Sequence, residues 1–317
     1  MNGLSSNLKF LVTGGAGFIG SNVCIYLSKM NYSITVIDDL STGFIKNLDS
    51  VMGSIKFYKS SIEEFNFELI PDVDLVIHLA AQTSVPLSVE NFFNSSNTNL
   101  ISSLKVMEFC RLRNIPLIYA SSSAIYGNLE IGDDSNNLVD LISPYSADKY
   151  ALEIYAEMLY KTFKISSIGL RFFNVYGERQ DPNSIYSGVI SIFVKRILNN
   201  KKITINGGSQ TRDFIYINDV VKLIYKSAVI LKNKKLCDTV NILSGKSINI
   251  EDLSGLIMRI IGNSPKKIYK PLLKGDPEKS DGTIFKLKNL YNISDDEITD
   301  IENGLRQTIK FMKDSKN

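Results

Sequence analysis

A single histidine, His78, occurs in the 317 residues. One imidazole cannot build a multi-histidine metal site, so no metal is expected. A Ser–His–Asp triad would have to use this residue at the end of an apolar run, where a satisfied structural histidine is the better account. Cysteine is nearly as scarce: Cys24, Cys110 and Cys237 lie far apart, without metal or redox spacing. Cys24 and Cys110 fall in helical patterns, as buried reduced thiols do. A charge excess is missing as well. The net charge of +3 is too small to imply a nucleic-acid partner, and the basic pairs Lys195-Arg196, Lys201-Lys202 and Lys266-Lys267 read as solvated surface. No apolar run reaches the length of a membrane span, because Lys195 interrupts the longest, Val189 to Leu198. No secretory signal opens the chain, and Asn2 stands where myristoylation needs glycine. A cytoplasmic protein without membrane contact is the expectation.

What is present is alternation. Strand-like runs at Lys9–Thr13, Ser33–Ile37, Ile55–Lys59, Leu75–Leu79, Pro116–Ala120 and Ser166–Leu170 are mostly continuous apolar stretches, as in parallel strands covered on both faces. Helical patterns at Ile19–Met30, Asn99–Leu112 and Ser146–Phe163 fall between them. The order predicts an α/β fold, a Rossmann-like doubly wound parallel sheet with right-handed crossovers. Later segments predict a helix over Tyr216–Leu231 starting at an Asn218-Asp219 cap, a strand over Thr239–Leu243, and helices over Ile250–Ile261 and Glu297–Met312. The expected division is a dinucleotide-binding domain at 1–173, with 211–243 returning to it. A smaller C-terminal substrate-binding lobe takes 174–210 and 244–317.

The first apolar run leads into Thr13-Gly14-Gly15-Ala16-Gly17-Phe18-Ile19-Gly20. Gly14 permits a tight strand-to-helix turn, Gly17 lets backbone N–H groups approach a pyrophosphate, and Gly20 lets the helix pack closely on the strand. The next apolar run ends in Asp38-Asp39. A carboxylate there accepts from a ribose 2′-hydroxyl and repels a 2′-phosphate, which favours NAD over NADP.

The strand ending at Ala120 runs into Ser121-Ser122-Ser123, and a later helical segment opens Pro144-Tyr145-Ser146-Ala147-Asp148-Lys149. Tyr145 and Lys149, four apart, share a helix face. Removing hydride from a carbinol carbon requires a base for its hydroxyl proton, and a free tyrosine, near pKa 10, is a poor one at neutral pH. A lysine ammonium and an oxidised nicotinamide both stabilise phenolate, while a serine hydroxyl can hold the substrate oxygen.

With these residues in place, the chain resembles the extended short-chain dehydrogenase/reductase family, specifically its nucleotide-sugar epimerases. The resemblance is carried by TGGAGFIG, DDLSTG, HLAAQTSV, SSSAIYG, PYSADKY, RFFNVYGERQDP, INGGSQTRDFIYINDV and KGDPEKSDGTIFK, and spans the glycine fingerprint to about Lys286. It implies Tyr145 as catalytic base and acid, Lys149 as its partner on the nicotinamide ribose, and Ser122 as the catalytic hydroxyl with Ser123 beside it. It implies an NAD site formed by Gly14, Gly17, Phe18, Ile19, Gly20, Asp38, Asp39, Ser41, Thr42, Gly43, Ser61, Ile62, Leu79, Ala80 and Ala81, together with Tyr145 and Lys149. For the nucleotide-sugar it implies Ser84, Ser122, Ser123, Asn174, Arg179, Gln180, Tyr186, Val189, Arg212 and Ser280, with Arg212 as phosphate clamp. A homodimer through two helices of each copy is also implied.

Within that family, 4,6-dehydratases place an acid/base Asp-Glu pair after the catalytic hydroxyl, and UDP-glucuronate decarboxylases a Glu at the second of those positions. Here they are Ser123 and Ala124, which leaves reversible redox at one carbon. RQDPNSIYSGVI resembles the UDP-N-acetylglucosamine 4-epimerases, and Ser280 stands where a tyrosine would leave room only for a hydroxyl. The expectation is a UDP-GlcNAc/UDP-GalNAc 4-epimerase, with UDP-glucose and UDP-galactose as further substrates. A UDP-glucuronate 4-epimerase, a net oxidoreductase and a silent nucleotide-sensing scaffold are the alternatives. Three departures from the family pattern are Leu273 for an arginine, Ser61 for an adenine-contacting aspartate, and Gly282-Thr283 for alanine-aspartate.

Overall fold

The computed structural model describes residues 4, 7–183, 188–272 and 277–314. Its strands are β1 (Lys9–Thr13), β2 (Ser33–Asp38), β3 (Ile55–Lys59), β4 (Leu75–His78), β5 (Leu117–Ser122), β6 (Ser167–Phe172), β7 (Asn174–Tyr176), β8 (Ile203–Asn206), β9 (Thr211–Tyr216), β10 (Cys237–Ile242), β11 (Ser247–Asn249), β12 (Lys267–Lys270) and β13 (Lys279–Ser280). The helices are α1 (Phe18–Lys29), α2 (Val85–Glu90), α3 (Phe92–Ser96), α4 (Ser102–Arg113), α5 (Pro144–Phe163), α6 (Val189–Leu198), α7 (Ile217–Asn233), α8 (Ile250–Ile261), α9 (Phe285–Tyr291) and α10 (Ile301–Asp314). A π-helical turn, Asn97–Ile101, joins α3 to α4.

Seven strands form one sheet in the order β10-β6-β5-β4-β1-β2-β3, the Rossmann-like arrangement that the apolar runs imply. Phe10, Leu11 and Val12 of β1 are buried, because β1 is flanked on both sides, by β2 and by β4, in parallel register. The chain runs from β1 outward to β3, then returns to lay β4 on the other side of β1. The strand order therefore reverses between β1 and β4, the place where sheets of this kind take ligands. Beneath it, Leu11, Val76, Val106, Leu117, Tyr119 and Leu152 share one core cluster.

The residues divide into two compact units. One comprises 1–125, 141–171 and 221–240; the other comprises 126–140, 172–220 and 241–317. This differs from the division read from sequence at two places, each with a cause. Segment 211–220 does not return to the large sheet, because β9 pairs instead with β7, β11 and β13 in a four-stranded sheet. Segment 126–140 belongs with the second unit because Gly132 bridges Gly282. Gly132 N donates to the Asp281 carbonyl at 2.8 Å, and Thr283 N donates to the Gly132 carbonyl at 2.9 Å. The glycine of the Gly282-Thr283 departure is explained here too: a Cβ at 282 would come within 2.5 Å of the Phe173 ring.

In the second unit, β12 and β8 form a separate parallel pair. The run Val189–Leu198 is the amphipathic helix α6, burying Ile190, Phe193, Val194 and Ile197 at the spacing of one helical face. α7 starts at Ile217, ahead of the expected Asn218-Asp219 cap. The Asp219 carboxylate instead accepts from Thr299 N at 2.8 Å. Among the described residues no helix is long and apolar enough to cross a membrane.

Candidate active site

The cradle at the strand reversal follows from its glycines. Gly14 has φ +71°, and a Cβ on it would come within 2.7 Å of Ala80 N. Glycine is thus required both for the left-handed turn and for the close approach of the β1 and β4 ends. A Cβ on Gly20 would fall on the Gly14 carbonyl oxygen, so α1 packs against its own turn. Gly15, which the fingerprint logic leaves without a role, is needed as well, since its Cβ would meet Val36 Cγ1 at 2.5 Å. A Cβ on Gly43 would come within 2.8 Å of Ala16 C and 3.0 Å of Gly17 N. Gly17 caps α1 without a side-chain hydrogen bond, leaving the helix N-terminus, with Phe18 and Ile19, for an anion.

Asp38 is buried at the end of β2. Its Oδ2 accepts from Ala16 N at 2.9 Å and its Oδ1 from Leu40 N at 2.8 Å. Burial raises its pKa, and these backbone donors oppose the rise. Asp39 turns outward, its Oδ1 accepting from Ser41 N and Ser41 Oγ. Ser41 and Thr42 are exposed. After β3, Ser61 Oγ accepts from Glu64 N at 3.3 Å and so caps the turn, while the Ile62 side chain joins the core. Leu79, Ala80 and Ala81 follow β4 half-buried.

His78 is the structural residue that its apolar setting suggests. Ser103 Oγ donates to the Asn99 carbonyl at 2.5 Å, so at 2.8 Å it must accept from His78 Nε2. That leaves Nδ1 bare to accept from Thr13 Oγ1 at 2.7 Å, and Thr13 Oγ1 accepts in turn from Ala80 N at 3.3 Å. Burial, with the nearby Lys149 charge, lowers the imidazole pKa to about 3. The π turn places Asn99 here, where its side chain also holds both backbone groups of Gln82.

Ser122 ends β5, and Tyr145 and Lys149 lie on the first turns of α5. Pro144 occupies the first helical position, and Ser143 with Ser146 forms a capping box, so the segment starts a helix where proline is tolerated. Ser88 Oγ accepts from Tyr145 N at 3.2 Å. The three catalytic candidates are brought together: Lys149 Nζ lies 5.7 Å from the Tyr145 ring centroid, and the Ser122 hydroxyl is near enough to lower the Tyr145 phenol. Ser122 Oγ also accepts from Ala124 N at 3.1 Å, and Ser123 follows in the next turn, half-buried. Burial pushes the phenol above the usual tyrosine range, and the nearby Ser122 hydroxyl draws it back. The expected lowering by Lys149 does not dominate. Its ammonium donates to the Ala120 carbonyl at 2.9 Å, and desolvation of the phenol is the larger effect.

Burial lowers Lys149 to about 8, with Asp148 acting in the opposite direction. The ammonium is therefore lost as pH rises through about 8, and turnover should show an alkaline limb there. Lys149→Arg, whose guanidinium stays charged, should move that limb upward. Stability should respond with the other sign. Between about 8 and the ordinary 10.5 the unfolded chain binds the extra proton, so the fold gains stability as pH rises through this window. Thermal melts and rate profiles across it check both directions.

In the second unit, β13 runs parallel to β9 with Ser280 opposite Arg212. Arg212 is buried, and its Nη1 donates to the Thr211 carbonyl at 2.7 Å. Asn174 Nδ2 donates to the Asp213 carbonyl at 3.0 Å. Gln180 Nε2 donates to the Val175 carbonyl at 3.3 Å, and its Oε1 is buried without a partner among the described residues. Arg179, at φ +69°, lies over the Phe311 ring of α10, 5.3 Å from the centroid. Val189 opens α6. In the first unit, Ser84 caps α2, accepting from Leu87 N at 3.1 Å. Tyr186 and Leu273 lie outside the described residues.

Cradle and hydroxyl–phenol–ammonium set together define a dinucleotide-dependent enzyme of carbinol chemistry. The model of the NAD dependent epimerase/dehydratase family matches residues 10–242, and the chain belongs to that family, with NAD as its cofactor. It is 34% identical over 315 residues to the "Putative UDP-glucose 4-epimerase" of Methanocaldococcus jannaschii, covering 96% of this chain and 98% of that protein. Among solved structures, the UDP-N-acetylglucosamine 4-epimerase from Methanobrevibacter ruminantium M1, in complex with UDP-N-acetylmuramic acid, matches with TM-score 0.90 and 32% identity. That match covers 98% of this chain and 99% of the other. The UDP-glucose 4-epimerase of Thermotoga maritima, with UDP-glucose, matches with TM-score 0.90 and 33% identity, over 98% and 100% of the two chains.

Proposed function

We propose that the chain is a UDP-sugar 4-epimerase that interconverts UDP-GlcNAc and UDP-GalNAc, and UDP-glucose and UDP-galactose as well. The observation that carries this reading is a Ser122–Tyr145–Lys149 set followed by Ser123 and Ala124. Proton transfer at one carbinol is provided for, and no second acid/base pair stands where water elimination would need it. Gly14, Gly17 and Gly20 with the open α1 end would take the pyrophosphate of NAD, Asp38 the adenosine ribose, and Lys149 the nicotinamide ribose. When bound, NAD supplies a hydride acceptor at sugar C4 that can return the hydride to the opposite face. Tyr145 accepts the O4 proton and later gives it back, Ser122 holds O4, and Lys149 keeps positive charge beside the phenol. Arg212 would serve the diphosphate of the UDP-sugar, and Asn174, Gln180 and Val189 the rest of the nucleotide-sugar. Ser61, uncharged, would grip adenine less firmly than an aspartate.

Ser280 supplies the substrate preference, since its small side chain leaves space for an acetamido group beside Arg212. Ser280→Tyr should lower kcat/KM for UDP-GlcNAc about tenfold or more, the scale of a steric clash of 1–3 kcal/mol, and spare UDP-glucose. Equal losses on both sugars would remove this role. The reaction itself is tested by incubating the purified protein with UDP-GlcNAc, UDP-glucose or UDP-glucuronate, without added NAD, and separating the products. Conversion of UDP-glucuronate alone would select the uronate epimerase, and steady accumulation of NADH a net oxidoreductase. A homodimer is part of the same proposal: Ile154, Tyr155 and Met158 of α5 and Ile101 before α4 are exposed, a helical apolar face that a two-fold partner would cover. Sedimentation at micromolar concentration checks it.

A further inference from the structure

We infer that Glu153 is a positioning residue: tied to Ser121 and Arg171, it sets the register of α5 against β5 and thereby the meeting of Tyr145 with Ser122. The inference rests on the proposed use of Tyr145 as the proton acceptor. Tyr145, Lys149 and Glu153 are spaced four apart on one helix face; Lys149 and Glu153 are bound to two successive β5 residues, Ala120 and Ser121, and Ser122 is next along the strand. The Ser122 hydroxyl is near enough to Tyr145 to lower its phenol, Lys149 Nζ donates to the Ala120 carbonyl at 2.9 Å, and Ser121 Oγ donates to Glu153 Oε1 at 2.5 Å. From the neighbouring strand, Arg171 Nε donates to Glu153 Oε1 at 3.0 Å and Nη2 to Oε2 at 2.7 Å. Glu153 and Arg171 are only 8% and 4% exposed. Two turns from Tyr145, roughly 12 Å along the helix, Glu153 acts through the helix rather than on the reacting atoms. A buried ion pair is a weak source of stability, and apolar groups of similar volume often replace one without loss. Direction is what these bonds supply that apolar packing does not: three of them, from two strands, fix both where α5 lies along β5 and how it is rotated.

Three variants test this: Ser121→Ala, which leaves the ion pair; Glu153→Gln, which keeps the shape; and the double change Glu153→Met with Arg171→Met. Each is measured for kcat, KM, retained NAD and thermal midpoint. The Tyr145 phenol is also titrated, as the 295 nm difference against Tyr145→Phe. Glu153→Gln should lower kcat by up to about 10²-fold, the scale of a misplacement near 1 Å, with KM and retained NAD within about twofold. Ser121→Ala should lose about tenfold or less, with little change in thermal midpoint. The double variant should melt no earlier than Glu153→Gln yet remain as slow, and the phenol midpoint should rise in all three as the Ser122 contact weakens. Full kcat in Ser121→Ala and the double variant, with an unmoved phenol midpoint, would overturn the inference. So would losses of kcat that track the thermal midpoint alone. If Glu153→Gln does not fold, Ser121→Ala decides. A wild-type protein inactive on every UDP-sugar sinks the proposed function instead, and the phenol titration still judges Glu153.

Discussion

Tyr145→Phe should lower kcat for UDP-sugar interconversion by about 10²–10⁴-fold, the range that a positioned acid/base supplies. The change removes one oxygen from a ring that stays packed, so retained NAD and thermal midpoint should be close to wild type. KM should change little, because O4 keeps its Ser122 contact. A quenched time course with UDP-GlcNAc and a heat-released NAD assay measure both sides. Substantial activity in this variant would remove Tyr145 from the reaction, whatever the fold. The size of the effect reflects a group that is not ready by itself: burial holds the phenol above its ordinary range, and the Ser122 hydroxyl draws it back.

The second large effect should come from Gly20→Ala. An added Cβ falls on the Gly14 carbonyl oxygen and within 2.8 Å of Gly15 Cα. Both obstacles are backbone, so no side chain can swing aside. Overpacking of this kind costs typically 1–3 kcal/mol, and relief requires α1 to lift from β1, which spoils the anion site at its N-terminus. The protein should emerge without NAD and with a thermal midpoint several degrees lower, since 1 kcal/mol corresponds to roughly 2–4 °C in domains of 150–250 residues. The control is Gly53→Ala, whose Cβ meets nothing within 4 Å and which should retain cofactor. A Gly20→Ala protein that holds NAD as firmly as wild type would contradict the cradle as described.

The contrast between these sites and the rest of the chain shows what sequence makes legible. The central strands are readable because burial on both faces forces continuous apolar runs such as Phe10-Leu11-Val12. The glycine cradle and the Tyr145–Lys149 pair are readable because their parts are near each other in sequence. α2 and α3 are not, since at six and five residues they are too short to show an apolar period, and their Val89, Phe92 and Phe93 are exposed. β13 is two residues long and exists only through its pairing with β9, so the alignment of Ser280 with Arg212 cannot be seen in the chain. Glu153 and Arg171 are 18 positions apart and meet only through the packing of α5 on the sheet. The stacking of Arg179 on Phe311 is hidden in the same way, because the two residues are far apart in the chain.

The one-way order of donors from Ala80 through Thr13, His78 and Ser103 to Asn99 has a consequence for how this protein senses acidity. An imidazole whose two nitrogens are both engaged, and whose protonation would set an N–H against the Thr13 O–H, stays neutral throughout the ordinary range of a histidine. The chain thus lacks the usual sensor between pH 5 and 7. Lys149, lowered by burial to about 8, stands at the alkaline edge of the neutral window, so a rate profile recorded across it should report on that side chain and be silent about the imidazole.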